Sequence, residues 1–314
     1  MSRFHHVLLH AVLGVFAALT MVPFFFAFNN SFRENTEVYH AFFGLPAAVR
    51  GAADAAVRTV RGDNSPLSVS DSEGNTALLP PREALDRHME RLTLSYKRAW
   101  AQIRPFMVNS LVVSLTTAFG VLLLSSLTAY VLSRHKFPGN RLVFFAVISA
   151  MMFPGVLTFV PSYMVVKGMG LLDSRWAMIL PYIAGGQIFA IFIMKSFFDG
   201  LPEDLFEAAR IDGAGQLQSW WHIVLPLSKP VISVVLILNI IGTWNNFMWP
   251  FVTQPNGQNH VIASGLYILA TSAYATNLSV LFAAYMLSSL PLLFLFVYAT
   301  KPFIQGVTTG AFKA

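Results

Sequence analysis

The segment PEDLFEAARIDGAGQLQSWWHIVLP, residues 202–226, separates two long apolar runs and decides how the whole chain is interpreted. It opens with a proline followed by two acidic residues, which is typical of a helix start because acidic groups stabilise the positive N-terminal end. The pattern predicts a helix over Glu203–Ile211 that ends at Gly213. A second helix is expected over Gln216–Val224, with Pro226 ending it. The segment therefore predicts two short helices joined at a glycine.

The chain around this segment is too apolar for a soluble protein. Of its 314 residues, 55% are hydrophobic and 11% are charged, whereas a typical soluble domain has about 25% charged residues. A bilayer-spanning helix takes about 20 apolar residues. Six runs qualify: Val7–Phe28, Phe106–Leu132, Leu142–Val166, Trp176–Met194, Val231–Val252 and Val280–Thr300. The predicted fold class is thus an all-α polytopic membrane protein with six transmembrane helices.

Three of the apolar runs carry further signals. The first is interpreted as an uncleaved anchor, because no small-x-small cleavage site follows it. Pro154 and Pro161 are expected to break the third. A seventh, shorter run, Val261–Ala275, contains a glycine and several serines and threonines, and we interpret it as a re-entrant or surface-lying segment.

Lysine and arginine in the short loops indicate the orientation. With the N-terminus in the cytoplasm, only Lys167 and Arg175 lie in short outer loops. Nine basic residues then lie inside: Arg3, Arg134, Lys136, Arg141, Lys195, Arg210, Lys229, Lys301 and Lys313. Both termini are therefore predicted to be cytoplasmic. The net charge of +6 is explained by the basic residues on the cytoplasmic side of the spans, so we expect no nucleic-acid partner.

The chain is expected to have four parts. These are residues 1–28, the N-terminal end and first helix; 29–105, an extracytoplasmic loop; 106–304, the membrane core with the polar loop 198–230; and 305–314, a cytoplasmic tail. Within the extracytoplasmic loop, Gly62–Pro81 predicts turns or a small strand pair, and Arg82–Ile103 predicts a helix. We interpret this loop as an insertion between the first two helices.

The chain lacks the residues that several classes of function require. There is no Cys, which excludes disulfides and Cys-ligated metals, and the scattered histidines predict no metal site. No G-x-x-x-x-G-K-[ST] phosphate loop is present, so the chain is not an ATPase. No predicted span contains Asp or Glu, which argues against an ion-coupled secondary carrier. A membrane enzyme would need catalytic groups at one membrane depth, and the sequence indicates no such catalytic residues.

The polar segment resembles the EAA loop of binding-protein-dependent ABC transporter permeases. The fixed positions are Glu207-Ala208-Ala209, Gly213 and Ile223-x-Leu225-Pro226. Further resemblances lie in Phe137-Pro138-Gly139, Gly170-Leu171-Leu172-Asp173 with Trp176, Trp244-Asn245-Asn246-Phe247, and the tail Gln305–Ala314. This tail is similar to that of the maltose-transporter-type second permease subunit, whereas the extracytoplasmic loop is poorly covered.

The resemblance implies the type I importer permease fold in the bacterial cytoplasmic (inner) membrane. It implies a second permease subunit, two ATP-binding subunits, an extracytoplasmic solute-binding protein, and a sugar or oligosaccharide as substrate. ATP and Mg would bind the ATPase subunits, with no cofactor on this chain. The family's ATPase-coupling role carries over to Glu207, Ala208, Ala209, Gly213, Ile223, Leu225 and Pro226, and its tail contact with the ATPase to Thr309, Gly310 and Lys313. Alternatives are a non-sugar solute such as glycerol phosphate esters, or a secondary carrier.

The residues support this resemblance physically. Two short helices joined at a glycine form a compact unit that can transmit a rigid push. The small side chains of Ala208 and Ala209 leave room for another surface. Glu207 offers a partner one negative charge.

Polar residues inside the spans are candidates for a substrate pathway. Asn239, Thr243 and Asn246 fall at i, i+4 and i+7, on one helix face, with Trp244 beside them. Amides and aromatic rings suit a sugar, and Tyr285 in the last span is a further candidate. Interhelical hydrogen bonding, worth about 0.6 kcal/mol per contact, explains the same residues equally well.

Overall fold

A computed structural model describes residues 3–40, 43–70, 76–272 and 277–311. The described chain is mostly helical. It divides into two compact units: the first comprises Met1–Arg104 and Gly265–Leu290, and the second Pro105–Ser264 and Pro291–Ala314.

Four helices are long and apolar enough to cross a membrane. They are α1 (Arg3–Asn30), α4 (Pro81–Arg134), α7 (Trp176–Asp199) and α14 (Leu278–Ala311). Two bent pairs pass the same test, α5 (Asn140–Ala150) with α6 (Gly155–Gly168), bent by 97°, and Gln216–Leu227 with α11 (Lys229–Trp244), bent by 80°. The described chain thus has four candidate spans, or up to six if each bent pair is one span.

Two predicted spans are interrupted. The third breaks before α6 at Pro154, as expected, whereas Pro161 lies inside α6; the prediction of a break at Pro161 is wrong, since a span tolerates the loss of one backbone hydrogen bond. The fifth leaves the helix after Trp244 and resumes as α12 (Met248–Thr253). There the Asn246 side-chain oxygen accepts a hydrogen bond from the Trp249 N–H at 3.2 Å, so an amide caps the new helix.

The first unit contains the predicted strand pair. Helices α2 (Asn35–His40) and α3 (Ala47–Arg61) precede β1 (Leu67–Ser70), which pairs antiparallel with β2 (Thr76–Leu79). A small core of Ala55, Val69 and Ala84 lies beneath them.

Helix α4 has 54 residues and contains Pro105 without a break. The predicted helix Arg82–Ile103 and the predicted span Phe106–Leu132 are therefore one element. The remaining short apolar helix, α13 (Ile262–Thr271), occupies the segment interpreted above as re-entrant or surface-lying.

The second unit packs its helices closely around one glycine. A Cβ added to Gly186 of α7 would lie 2.8 Å from Asn239 Oδ1 on α11 and 2.9 Å from Val121 Cγ2 on α4, whereas one at Gly185 would meet nothing within 4 Å. Glycine at position 186 thus lets three helices approach one another.

A set of polar side chains, called here the polar cluster, also joins segments of the second unit. It consists of Asn109, Asp173, Arg175, Gln254, Asn256 and Asn259. The Asp173 carboxylate accepts hydrogen bonds from the Asn256 backbone N–H and Nδ2, both at 2.8 Å. Arg175 donates to Asn109 Oδ1 at 2.9 Å, and Asn109 Nδ2 donates to the His260 carbonyl at 3.0 Å. The cluster fixes the turn before α7 to the segment after α12.

Candidate functional site

The first half of the polar loop folds as its sequence predicts. Helix α8 spans Asp204–Ile211, one residue shorter than expected. Gly213 follows with φ +78°, a left-handed conformation that costs other L-residues about 1–2 kcal/mol. Its N–H donates to the Arg210 carbonyl at 3.1 Å, and the Ala214 N–H donates to the Ala209 carbonyl at 2.8 Å. These bonds close the helix and reverse the chain.

The second half is longer than predicted. It runs through α9 (Gln216–Ser219), a π-helical turn (Trp220–Val224) and α10 (Leu225–Leu227). The prediction that Pro226 ends this helix is wrong. The wider π-helical turn precedes the proline, and the Ser228 N–H reaches back to the Val224 carbonyl at 3.0 Å, so the helical path continues past the residue that has no N–H.

The loop has one buried face. Phe206, Trp220 and Val224 are buried in a cluster with Tyr130 of α4 and Phe198 of α7. The Tyr130 hydroxyl lies 2.8 Å from Gln216 Oε1 and donates a hydrogen bond to it. The loop is therefore seated firmly on the ends of α4 and α7.

The other face of the loop is exposed. The predicted coupling residues divide between the two faces: Glu207, Ala208, Gly213 and Pro226 are exposed, Ile223 and Leu225 are half-buried, and Ala209 is buried. The structure differs here from the expectation that both alanines face outward, because Ala209 lies one helical turn from Phe206 on the inner face. Ile211 is 86% exposed, which adds an apolar side chain to the outer surface.

A surface groove of about 380 Å³ runs between the two halves of the loop. Its lining includes Asp212, Gly213, Gln218 and His222. The Gln218 side chain accepts a hydrogen bond from the Gly215 N–H at 2.7 Å, which holds the start of α9. The groove gives the exposed face a concave surface of mixed polar and apolar character.

Arg134, the last residue of α4, helps to hold the loop, although in the sequence it served only to indicate the orientation of the spans. Its side chain is 10% exposed, and its guanidinium lies 2.9 Å from the Glu203 carboxylate. It also donates to the carbonyls of Phe198 and Leu201, the latter at 2.9 Å. The guanidinium carbon is 4.1 Å from the centre of the Phe206 ring. Sequence reasoning missed this contact because only the tertiary fold creates it.

The predicted pathway residues of α11 are mostly engaged in packing. Thr243 is buried, and its hydroxyl lies 3.0 Å from Ser114 Oγ on α4. Trp244 is also buried, and Asn239 Nδ2 donates to the Val235 carbonyl at 3.3 Å. The contact of Thr243 is the interhelical hydrogen bond that was the alternative explanation.

Asn246 has a different environment. It lines a cavity of about 370 Å³ together with Ser162 of α6, Tyr182 of α7 and Trp249 of α12. The Trp249 ring stands edge-on to Phe159 at 5.3 Å, and its indole N–H donates to the Ala177 carbonyl at 2.9 Å. Within the described part of the chain, the Tyr182 hydroxyl has no hydrogen-bond partner. The cavity thus offers aromatic surface, an amide and the free hydroxyl group of Tyr182.

The remaining candidates lie elsewhere. Tyr285 is in the part of α14 that belongs to the first unit and is 37% exposed. The backbone of α14 is helical through Thr309 and Gly310, whereas Lys313 lies outside the described residues. Among the described residues, no group of three His, Asp or Glu side chains could hold a metal ion.

The described chain thus combines several apolar candidate spans with a polar helical loop seated on the ends of α4 and α7. Residues 121–307 match the model of the family described as binding-protein-dependent transport system inner membrane component. The chain belongs to this family, which confirms the family resemblance inferred from the sequence.

Named relatives cover most of the membrane part. The diacetylchitobiose uptake system permease protein of Streptomyces coelicolor is 34% identical over 222 residues, 70% of this chain and 74% of that protein. The arabinooligosaccharides transport system permease protein of Bacillus subtilis is 33% identical over 205 residues, 65% and 72% respectively. The sn-glycerol-3-phosphate transport system permease protein of Yersinia pestis is 31% identical over 202 residues, 64% and 71%.

A solved structure shares the fold over nearly the whole chain. It is a bacterial ABC transporter involved in the import of the acidic polysaccharide alginate, with a TM-score of 0.70. The alignment covers 96% of this chain and 98% of that one at 22% identity. The likeness therefore extends to the fold of the region that precedes the family match.

Proposed function

We propose that this chain is a transmembrane permease subunit of an ATP-driven, binding-protein-dependent importer of sugars or oligosaccharides. It would pair with a second permease subunit, two ATP-binding subunits that carry ATP and Mg, and an extracytoplasmic solute-binding protein. The family membership and two relatives named for the transport of saccharides support this proposal. The six spans would be α1, α4, α5 with α6, α7, α11 with α12, and α14, with both termini in the cytoplasm.

In the proposed mechanism, each face of the polar loop has its own role. When the ATP-binding subunits close, they would push the exposed face that presents Glu207 and Ala208. The buried face, with Phe206 and Trp220, would pass this movement to α4 and α7, because close-packed elements move as units. The membrane helices would then rock between inward-facing and outward-facing states. The tail residues Thr309, Gly310 and Lys313 would add a second contact with an ATPase subunit.

The cavity at Asn246 is the best candidate for a saccharide contact in this subunit. Tyr182 provides a ring for the apolar side of a sugar, and Asn246 provides an amide for its hydroxyl groups. Thr243 and Trp244 are less suitable, since the fold already buries them.

Co-purification tests the coupling role. The complex would be purified from detergent-solubilised membranes through a tag on this chain, comparing the wild type with Glu207→Lys and Gly213→Pro. We expect both variants to lose the ATPase subunits and to keep the sister permease. Asp204→Lys is the matched control, because it reverses an exposed charge one turn away on the same helix. If even the wild type recovers no ATPase, the proposed function is wrong.

Glycerol phosphate esters are a second candidate substrate class, because the Yersinia pestis relative is named for sn-glycerol-3-phosphate. A phosphate would require a cationic partner. The described lining of the cavity contains no Lys or Arg, which favours a neutral saccharide. Calorimetry of the solute-binding partner with oligosaccharides and with glycerol phosphate would separate the two.

A further inference from the structure

We propose that Arg134 is a positioning residue that ties the polar loop to the ends of α4 and α7, so that all three move together. This inference rests on the proposed function, since it concerns how a push on the loop reaches the membrane helices. It is based on the contacts of one guanidinium group, which connect the end of α4, the end of α7 and the residue before α8.

The contacts of Arg134 are spread over three segments. Its own backbone ends α4, and its side chain donates to the carbonyl of Phe198 in the last turn of α7 and to that of Leu201, two residues after α7 ends. Its other contact is the carboxylate of Glu203 at 2.9 Å, directly before α8. The Phe198 carbonyl also accepts the Leu201 N–H at 3.1 Å, so the guanidinium adds a side-chain donor from α4 to a carbonyl that the backbone already uses to end α7.

Arginine is suited to this role by its shape. The planar fork presents several N–H donors in fixed directions, so one side chain can bind two carbonyls and a carboxylate at once. The ring of Phe206 lies against the guanidinium and keeps it next to the first turn of α8. A lysine in the same place would keep the charge but not the fixed geometry.

Arg210 provides the contrast within the same network. It also approaches Glu203, at 3.3 Å, but its side chain is 58% exposed. Its other acceptors are Glu207 at 4.0 Å and the Phe206 carbonyl at 3.4 Å. These contacts are all inside the loop, so Arg210 can stabilise the loop but cannot connect it to α4 or α7.

The test measures whether loop and helix move as one body. Because the chain has no Cys, cysteines at Leu217 and Val131, exposed by 67% and 42%, can carry a unique pair of spin labels once the cysteines of the partner subunits have been replaced. Their distance distribution would be measured by electron paramagnetic resonance in the assembled transporter, without nucleotide and with ATP plus vanadate. We expect the wild type to give one narrow distribution with the same centre in both states.

The variants then distinguish the outcomes. Arg134→Gln should still co-purify with the ATPase but give a distribution at least twice as wide, whose centre shifts with nucleotide. Arg134→Lys should give an intermediate width. Arg141→Gln, which removes an exposed cation on α5, should match the wild type.

The proposal is overturned if Arg134→Gln behaves as the wild type does in both states. If Arg134→Gln does not assemble, Arg134→Lys and Glu203→Gln decide in the same way. Failure of the proposed function is a separate result, because then no ATPase would co-purify even with the wild type.

Discussion

The polar loop and the polar cluster both join helices of the second unit, but different forces hold them. The loop is seated by apolar burial of Phe206 and Trp220, with polar groups turned outward. The cluster is held by directional hydrogen bonds around Asp173, several of them from side-chain amides to backbone. Apolar burial is non-directional, whereas each cluster bond depends on a particular partner.

The difference separates a part that can be pushed from a part that fixes geometry. The loop is held by this packing and by the contacts of Arg134, so a force applied to its outer surface reaches α4 and α7 through both. The cluster also borders an apolar core that includes Ala177, Met178 and Trp249, but its own members are joined by hydrogen bonds that each need a particular partner. Four measurements would break or sharpen this distinction.

The largest effect is expected at Trp220. Trp220→Ala opens a cavity in the seat of the loop and should lower the unfolding free energy by about 3–5 kcal/mol. The neighbouring Trp221 is 59% exposed, so Trp221→Ala should cost less than about 0.5 kcal/mol. Thermal unfolding in detergent compares the two. Equal losses would show that the loop is not held by this face.

Asp173 should have the second-largest effect. It has φ +61°, so Asp173→Ala adds strain of about 1–2 kcal/mol. It also removes the acceptor of two solvent-exposed hydrogen bonds from Asn256, which water can partly replace, at a cost of about 0.5–1.5 kcal/mol. Asp173→Gly removes the strain but not the second cost, and should lie between the wild type and alanine. A glycine variant as stable as the wild type would show that the hydrogen bonds contribute little.

Gly213 isolates the backbone cost in the loop. A Cβ there would meet nothing within 4 Å, so only the left-handed conformation opposes substitution. Gly213→Ala should cost about 1–2 kcal/mol, and Gly213→Asn should cost less, because asparagine tolerates this conformation. The same thermal measurement applies, and an alanine variant less stable than Trp220→Ala would contradict the ranking.

Acidification should weaken the cluster, with the smallest effect. Burial lowers the pKa of His260 below its usual value of about 6.5, and the Asp173 carboxylate partly offsets this shift. The unfolded chain therefore takes up the proton first as pH falls below about 6.5, so the unfolding free energy decreases. His260→Gln should make unfolding midpoints at pH 7.5 and 5.5 more alike. An unchanged difference would show that His260 is not responsible.

Local signals made α8, the turn at Gly213 and the strand pair predictable. A proline with two acidic residues starts a helix, and glycine permits a left-handed turn, whatever the rest of the chain does. Pro226 was misread because the rule for proline assumes regular α-helical spacing, which the preceding π-helical turn changes. The break between Trp244 and Met248 was missed because apolar composition alone does not record a helix end.

The contacts of the candidate sites depend on the tertiary fold. Asn246, Thr243 and Trp244 are similar in sequence terms, yet only Asn246 lines the cavity. Arg134 carried a signal of charge but none of position, because its partners are 64 or more residues away. The sequence thus identifies residues whose type is unusual for their position. The packing determines which of their side chains can still contact a ligand or a partner.

The π-helical turn at Trp220–Val224 also determines how the loop responds to the insertion or deletion of a residue. Such a turn corresponds to one extra residue in an α-helix, so the loop is one residue longer than a regular helix over the same distance. Deleting a residue such as His222 would restore regular winding and leave Leu225 and Pro226 close to their present orientation, whereas a deletion from a regular α-helix rotates the residues that follow by about 100°. The π-helical turn can therefore absorb a one-residue change in the chain length between Gly213 and Ile223.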